Sequence, residues 1–268
     1  MGRVYRTKTY NIPEAGRTAK GTPVVNIIEK SPEEKISEII PVKEFSDNEY
    51  LVMVTKNGVI KKTPASEYES IRKSGKIAIT LKEGDELISI FKTTGNDNIF
   101  LATRNGMAIC FNENDARAVG RTASGVKAID LADGDYVVGA EPVREDSKVL
   151  LVTDGGYGKC TDLTSFRIQH RGGKGLKAYK ITEKTGNIIG ISMVNDSEEL
   201  IMVTSEGVVI RIRIKDIATT TGRITQGVRL INLNDGVTVV SMDKISAEDA
   251  VEEESEENTE VTAETTEE

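Results

Sequence analysis

Arginine and glycine recur together along this sequence at a spacing suited to holding phosphate groups. Five segments read Arg-x-x-x-Gly or, in one copy, are a residue shorter; they begin at Arg17, Arg72, Arg121, Arg171 and Arg223. A planar guanidinium donates two hydrogen bonds at once to phosphate oxygens. Glycine lets backbone N–H groups approach the same anion. Two positions after three of the glycines comes another cation: Lys127, Lys177 or Arg229. The pattern indicates phosphate binding.

A second interpretation of the same arginines stays open. Acidic turns such as Glu83-Gly84-Asp85 and Asp133-Gly134-Asp135 are frequent, and arginines beside them can form ion pairs instead of binding a ligand. Phosphate contacts alone would read little sequence. Aromatic residues are few and follow no stacking pattern, which argues against a reader of single strands or RNA.

Residues for catalysis or metal binding are sparse. His170 is the one histidine, and no serine or cysteine nucleophile motif accompanies it. With Cys110 and Cys160 as the two cysteines, His and Cys alone cannot assemble a zinc site. The glycine-rich stretch 169–175 matches neither a Walker loop nor a dinucleotide fingerprint. We expect no catalytic residue, no metal and no cofactor in this chain.

The elements that position the arginines are predicted from an internal repeat. Tyr50–Thr55, Asn57-Gly58 and the following residues read as strand, tight turn and strand, with both central turn residues expected at positive φ. Three further copies carry threonine three residues before the turn glycine, and their glycines are Gly106, Gly156 and Gly207. Cys110 and Cys160 each lie four residues after such a glycine, so we expect them to be buried and reduced in separate repeats.

The repeat predicts an all-β fold of about five four-stranded blades arranged like a propeller. The expected repeats are about 1–49, 50–97, 98–147, 148–198 and 199–245, with short helical turns at 64–71 and 112–118. A β-sandwich with accidental similarity is the alternative, and three recurring features in phase disfavour it. Apolar runs long enough to cross a membrane and a signal-peptide core are both missing, so we expect a cytoplasmic location.

The net charge of −8 conceals a basic body. Eleven of the 43 acidic residues lie in 246–268, which leaves 32 acidic residues against 35 Lys and Arg. This tail has no aromatic residue and its charge density predicts disorder. Two interpretations stay open: a solubilising tail, or an electrostatic competitor for the basic surface.

These features together resemble the C-terminal domain of the A subunit of bacterial DNA gyrase, with the topoisomerase IV domain as a close relative. The resemblance spans about residues 2–245 and rests on several segments: Ile12–Gly21, Gly84–Ile88, Ala118–Val126, Gly156–Lys159 and Gly222–Arg229. It implies a β-pinwheel of six blades that wraps duplex DNA with a positive sense around a basic rim, which favours negative supercoiling. It also implies cleavage and ATP hydrolysis, with Mg, elsewhere in the gyrase A and B subunits.

Two departures from the family pattern affect these expectations. The family's Gln-Arg-Arg-Gly-Gly-Lys-Gly box lies in its first blade, whereas here the similar stretch is Gln169–Gly175, with His170 in place of the first arginine. Nothing that precedes Gly2 could form the first blade, so we expect a pinwheel lacking that blade. DNA contact is therefore carried onto Gln169, Arg171 and Lys174 by motif type and not by blade position.

The predicted DNA-binding residues form one set: Arg17, Lys20, Arg72, Lys76, Arg121, Lys127, Gln169, His170, Arg171, Lys174, Lys177, Arg223 and Arg229. The expected partners are duplex DNA, the gyrase B subunit and the catalytic remainder of the gyrase A subunit. The expected location is near the nucleoid, and no membrane partner is expected. The alternatives are a topoisomerase IV-type domain that bends DNA without full wrapping, a propeller-like protein-interaction scaffold and, least favoured, a propeller enzyme with an axial pocket.

Overall fold

The computed structural model describes residues 2–16 and 18–246. Arg17 and all but the first residue of the acidic tail therefore lie outside the described residues. Within them, the backbone forms short strands and 3₁₀ turns with no α-helix, and no helix is long and apolar enough to span a membrane. The all-β, propeller-like prediction is confirmed.

The strands of the described residues are β1 Arg3–Val4, β2 Tyr50–Thr55, β3 Val59–Pro64, β4 Lys76–Ile77, β5 Leu87–Thr93, β6 Asn98–Thr103, β7 Met107–Asn112, β8 Val126–Lys127, β9 Val137–Pro142, β10 Lys148–Thr153, β11 Tyr157–Asp162, β12 Leu176–Lys177, β13 Ile188–Val194, β14 Glu199–Thr204, β15 Val209–Arg213, β16 Thr219–Thr220, β17 Val228–Arg229 and β18 Val239–Ile245. The 3₁₀ turns are Thr9–Asn11, Val24–Asn26, Ala65–Tyr68, Glu113–Asp115, Leu163–Ser165 and Ile214–Asp216. The third and fourth of these confirm the helical turns expected at 64–71 and 112–118.

Four sheets of three or more strands are present in the described residues, with the orders β5-β2-β3-β8, β12-β7-β6-β9, β13-β10-β11-β16 with β17 also on β11, and β15-β14-β18. The first repeat contributes only the two-residue strand β1, which pairs with β4. Four of the six prolines lie in residues 1–49. Because proline cannot donate a ladder hydrogen bond, that segment does not form the predicted four-stranded blade.

The hairpin turns differ from the predicted type. Three residues, Lys56 to Gly58, connect β2 and β3, and only Gly58 has a positive φ, of 76°. Asn57 does not adopt the left-handed region, so the expectation of two positive-φ residues was wrong. The structure instead has the three-residue hairpin loop, in which only the last residue, here glycine, lies in the left-handed region.

The recurring threonine has a local role in this turn. The Thr55 hydroxyl accepts a hydrogen bond from the Val59 N–H at 3.2 Å. The same bond, at 3.1 to 3.2 Å, recurs at the other three turns, where the acceptors are Thr103, Thr153 and Thr204. Threonine therefore satisfies the first amide after the glycine, which the irregular turn leaves without a strand partner.

One strand of each repeat joins the sheet of the preceding repeat. Each repeat from the second to the fourth has four strands, as predicted, but the shortest crosses over: β8 pairs with β3, and β12 pairs with β7. In the fifth repeat β17 likewise pairs with β11. The pairing joins segments more than 60 residues apart in sequence, so periodicity within a repeat cannot predict it.

The described residues divide into two compact units. The first contains residues up to Ile99, with Phe111–Val137 and Gln169–Lys174. Its core packs apolar side chains of β2 against the segment after β4; the core residues are Leu51, Met53, Tyr68, Ala78 and Ile79. Burial of such alternating strand faces is the main force that stabilises small sheets.

The second unit contains Phe100–Cys110, Val138–Ile168 and the residues from Gly175 onward. It has two apolar clusters, one around Phe100, Leu151 and Tyr179 and another around Leu150, Leu200 and Met202. Phe100 and Phe166 meet edge to face, with ring centroids 4.9 Å apart.

Both cysteines are buried and free. Burial raises the pKa of the Cys110 and Cys160 thiols to about 11, so both remain protonated and unreactive near neutral pH. The prediction of buried, reduced cysteines is confirmed.

Candidate nucleic-acid interface

Three loops carry the recurring arginines at the edges of the sheets. These arginine loops, as we call them, are residues 118–126, 168–176 and 220–228. Each leaves and rejoins the same strand of the preceding repeat: Ala118 bridges Lys62 in parallel, and Val126 pairs with Ile60 in antiparallel fashion. The second loop is attached to β7 and the third to β11 in the same way. The intervening residues are thus held at both ends on a sheet edge.

The glycine that ends each arginine loop is required by close packing. Gly125 has a φ of +88°, and a Cβ placed on it would lie 2.5 Å from the Ile60 carbonyl oxygen. Gly175 and Gly227 also have positive φ and face the carbonyls of Ala108 and Gly158 just as closely. The glycine therefore lets the loop approach the neighbouring strand, a reason independent of phosphate binding.

The arginine side chains bind backbone carbonyls of the preceding repeat. Arg171 donates from Nε to the Asp115 carbonyl and from Nη1 to the Lys127 carbonyl, both at 2.8 Å. Arg223 binds the two corresponding carbonyls with the nitrogens exchanged: Nε donates to Lys177 at 3.1 Å and Nη1 donates to Ser165 at 3.2 Å. A guanidinium has five N–H donors, so three on each side chain are not engaged by these contacts.

Arg121 has a different neighbour, since its Nε lies 3.6 Å from a Glu67 carboxylate oxygen. The sequence left open two roles for the arginines, phosphate binding and ion pairing. The structure adds a third, in which the arginine side chain connects one repeat to the preceding repeat through hydrogen bonds. The carboxylate interpretation describes Arg121, and the carbonyl contacts describe Arg171 and Arg223.

Backbone hydrogen bonds also connect each arginine loop to the repeat before it. The N–H groups of Thr80, Asp130 and Lys180 donate to carbonyls of the next arginine loop at 3.3, 2.9 and 3.0 Å. The acceptors are Ala123, Gly173 and Thr225. Each arginine loop is therefore held at a fixed place on the repeat before it.

The other predicted site residues differ in exposure and in position. Exposed residues of the predicted set are Lys20, Arg72, Lys127, His170, Lys174, Lys177 and Arg229, whereas Lys76 and Gln169 are half-buried. Lys20 and Arg72 belong to the first two repeats and are not part of the three arginine loops. Arg17 lies outside the described residues. Nine of the predicted residues lie on one of the three loops or at the first residue after it: Arg121, Lys127, Gln169, His170, Arg171, Lys174, Lys177, Arg223 and Arg229.

Several of these cations already have protein partners. The Lys127 ammonium lies 2.7 Å from an Asp130 carboxylate oxygen, and hydrogen bonding to it lowers the pKa of Asp130. His170 Nδ1 lies 3.2 Å from Asp115. An exposed ion pair such as that of Lys127 and Asp130 is weak and exchanges readily with solvent or another anion.

Arg229 belongs to a basic cluster that sequence reasoning missed in part. Its Nε and Nη2 donate to the Tyr157 hydroxyl at 3.1 and 3.0 Å, and the Lys184 ammonium lies 5.5 Å from the Tyr157 ring centroid. The hydrogen bond from Arg229 is the main cause that lowers the pKa of Tyr157. Lys184 lies outside every repeated motif, so no pattern pointed to it.

Two buried lysines beneath the loops were missed entirely. Lys61 and Lys159 are 1% and 0% exposed. The Lys61 ammonium donates to the carbonyls of Ala78 and Arg121, and the Lys159 ammonium donates to Gly222 and Arg223. Desolvation by burial lowers the pKa of both to about 8. Their shared position, three residues after a turn glycine, was the available signal.

Metal chemistry finds no support in the described part of the chain, where no three His, Cys, Asp or Glu residues form a group able to hold an ion.

The comparison with known proteins matches the five repeats one by one. The family model "DNA gyrase C-terminal domain, beta-propeller" matches five successive segments, residues 2–43, 49–94, 97–144, 147–195 and 198–246. The chain is 50% identical over 97% of its length to the DNA gyrase A subunit of Clostridium acetobutylicum, and 56% identical over 92% to that of Halalkalibacterium halodurans. It spans 31% and 30% of the length of these two relatives.

Solved structures agree with this assignment. The C-terminal domain of DNA topoisomerase IV superposes with a TM-score of 0.86 at 29% identity, covering 92% of this chain and 77% of that one. A DNA gyrase A C-terminal domain gives 0.78 at 25% identity, covering 91% and 79%. The five matched segments include all three arginine loops and the strands that hold them, and the chain therefore belongs to the DNA gyrase C-terminal domain family.

Proposed function

We propose that this chain binds duplex DNA through its arginine loops and wraps it, as the non-catalytic C-terminal part of a gyrase-type topoisomerase that introduces negative supercoils. The observation that supports this most is the grouping of exposed cations at loop ends that are fixed to the sheet edges. Lys127, Lys177 and Arg229 occupy the same register position in three successive repeats.

Contacts of this type favour DNA without reading its sequence. Flexible ammonium and guanidinium groups neutralise phosphates and release counterions, which gives affinity that falls steeply with salt. Smooth bending of a 20–30 bp site by 40–90° costs on the order of 1–6 kcal/mol. Several phosphate contacts spread over successive repeats can offset that cost, so wrapping is energetically accessible.

The remaining chemistry is assigned to other parts of the enzyme. The chain spans about a third of its curated relatives, and we propose that the catalytic remainder of the A subunit, together with the gyrase B subunit, ATP and Mg, performs strand passage near the nucleoid. The chain itself then contributes DNA geometry, by presenting a neighbouring duplex segment with a defined crossing sign.

A topology assay tests the proposal directly. Plasmid is relaxed by a type I topoisomerase in the presence of increasing amounts of this chain, and the sign of the retained linking difference is read on chloroquine gels. Wrapping with a positive sense leaves positively supercoiled plasmid after the protein is removed. DNA that stays fully relaxed at saturating protein excludes wrapping.

A second candidate function follows from one comparison. The TM-score is higher for the topoisomerase IV domain, 0.86, than for the gyrase domain, 0.78. In this alternative the chain bends DNA without wrapping it fully. Clear binding and bending in a circular-permutation gel assay, combined with no retained writhe, would favour it over the first proposal.

The acidic tail enters the proposal as a competitor for the basic loops. Removal of residues 246–268 takes away eleven negative charges, so duplex affinity at low salt is expected to rise by about tenfold or more, because electrostatic competition is relieved. Fluorescence anisotropy with a labelled duplex measures the change. Equal affinity with and without the tail would support the solubilising role instead.

A further inference from the structure

The peptide bond after the recurring arginine has two orientations in this molecule. In loops 118–126 and 220–228 the carbonyls of Arg121 and Arg223 accept hydrogen bonds from the buried ammonium groups of Lys61 and Lys159, at 2.5 and 2.6 Å. These carbonyls therefore point inward, toward the sheet of the preceding repeat. Gly222 points inward as well, since its carbonyl accepts from Lys159 at 3.3 Å.

Loop 168–176 has the opposite arrangement. The residue that corresponds to Lys61 and Lys159 is Ile109, three residues after the turn glycine, and it offers no donor. Here the N–H of Gly172, the residue after Arg171, points inward and donates to the Ala128 carbonyl at 2.6 Å. The Gly172 N–H is thus already engaged in a hydrogen bond within the chain.

The ammonium and the amide substitute for each other at one acceptor position. Ala78 and Ala128 occupy the same place in successive repeats, two residues after the crossing strand begins. The Ala78 carbonyl accepts from Lys61, whereas the Ala128 carbonyl accepts from Gly172. Where Lys61 supplies the donor, the Thr122 amide does not donate to this carbonyl.

Glycine content agrees with this exchange. The inward amide belongs to Gly172, which has a φ of +80°, a conformation that side chains disfavour. Thr122 and Ile224 stand at the same position in the other two loops, and neither has a positive φ. The peptide whose N–H points inward is therefore followed by glycine. The peptides whose carbonyls accept from a buried lysine are followed by residues that carry a side chain.

The geometry of a trans peptide determines where the released amides point. Carbonyl and N–H of one peptide unit project in opposite directions, so inward carbonyls at Arg121, Gly222 and Arg223 place the next N–H groups outward. Those N–H groups belong to Thr122, Arg223 and Ile224. Within residues 2–16 and 18–246, none of the three donates a backbone hydrogen bond to the chain, and Thr122 and Ile224 are exposed.

We infer that Lys61 holds the backbone amide of Thr122 outward, and that Lys159 does so for Arg223 and Ile224, as two separate binding sites for phosphodiester oxygens of duplex DNA. Outward N–H groups beside cationic side chains are a favourable environment for an anion. The two lysines act as positioning residues, because their own ammonium groups are buried and do not reach the ligand. This inference rests on the proposed DNA binding and names the backbone donors of that site.

Amide NMR on the full chain tests the inference without any mutation. Spectra of ¹⁵N-labelled protein are recorded during titration with a 12-bp duplex at low salt. The amide protons of Thr122, Arg223 and Ile224 are expected to move downfield as they donate to phosphate, whereas that of Gly172 stays in place. Binding of the duplex with no shift at these three amides overturns the inference and leaves the proposed function intact; no binding at any amide overturns both.

Substitution of the lysines provides the second measurement. Lys61→Met and Lys159→Met together remove both ammonium donors, and duplex affinity is expected to fall at least about tenfold, the effect of losing even one hydrogen bond to a charged group. The DNA-induced shifts of Thr122 and Ile224 disappear in this variant. Ile109→Met is the matched control at the same repeat position and keeps wild-type affinity. Undiminished affinity of a folded double variant, with those amides still shifting, contradicts the positioning role.

Discussion

The salt dependence of DNA binding measures how many of the predicted DNA-binding cations contact phosphate. Lys20, Lys174 and Lys177 are exposed, and no salt bridge involving their ammonium groups is found in the described residues. Replacement by glutamine keeps the aliphatic stem and removes one charge per site. These three lysines therefore report on ligand contact with little effect on folding.

The expected magnitude follows from counterion release. Each phosphate contact contributes about 0.9 to the slope of log K against log salt, so three lost contacts reduce the slope by about 2.7. Fluorescence anisotropy of a 40-bp duplex at several salt concentrations between 50 and 200 mM gives the slope for wild type and variant.

A charge-matched variant separates local contact from overall charge. Lys35, Lys82 and Lys215 are also exposed but do not belong to the predicted DNA-binding set, and their replacement by glutamine removes the same charge. The reasoning predicts a slope close to wild type for this control. Equal slopes for the two triple variants would refute the assignment of the interface to the predicted DNA-binding cations.

Three further predictions concern stability. Glu113→Ala is expected to destabilise the fold by about 3–5 kcal/mol in urea denaturation, because it leaves the buried Lys62 ammonium, now 2.8 Å from Glu113, without its carboxylate partner; a change below about 1 kcal/mol would contradict the buried pair. Gly175→Ala combines a positive φ of 74° with a clash against the Ala108 carbonyl, so a fall in the melting temperature of several degrees is expected by calorimetry, whereas Gly134→Ala, with open space around it, isolates the backbone contribution. The folded pKa of Lys159, about 8, lies below its ordinary value of 10.5, so wild type gains stability relative to Lys159→Met as pH rises from about 8 to 10.5, by about 3 kcal/mol in total; a flat difference across that range would show that the ammonium is not desolvated.

Much of the local structure could be predicted because it depends on a few adjacent residues. Alternating apolar residues and a glycine three positions after threonine indicate a hairpin in every repeat from the second onward. The type of turn was mistaken, since Asn57-Gly58 is also compatible with a three-residue connection in which only the glycine has positive φ. The thiols of Cys110 and Cys160 were predicted to be buried because each follows its turn glycine by four residues in a strand.

The site was harder to predict because its contacts join distant parts of the chain. Arg171 reaches Lys127 across 44 residues, and Arg223 reaches Ser165 across 58. A repeat identifies equivalent positions but not which repeat supplies the partner. The recurring arginine was therefore recognised, whereas its carbonyl acceptors were not.

The sequence by itself determined the number and spacing of the repeats, the all-β class, the family and the separation of a basic body from an acidic tail. Each depends on composition, periodicity or local backbone preference, which a few neighbouring residues encode. Only the tertiary structure decided that a short strand crosses to the preceding sheet and that Lys61 and Lys159 lie beneath the arginine loops. Those contacts span about 60 residues, and their direction is set by packing between repeats, which local sequence does not contain.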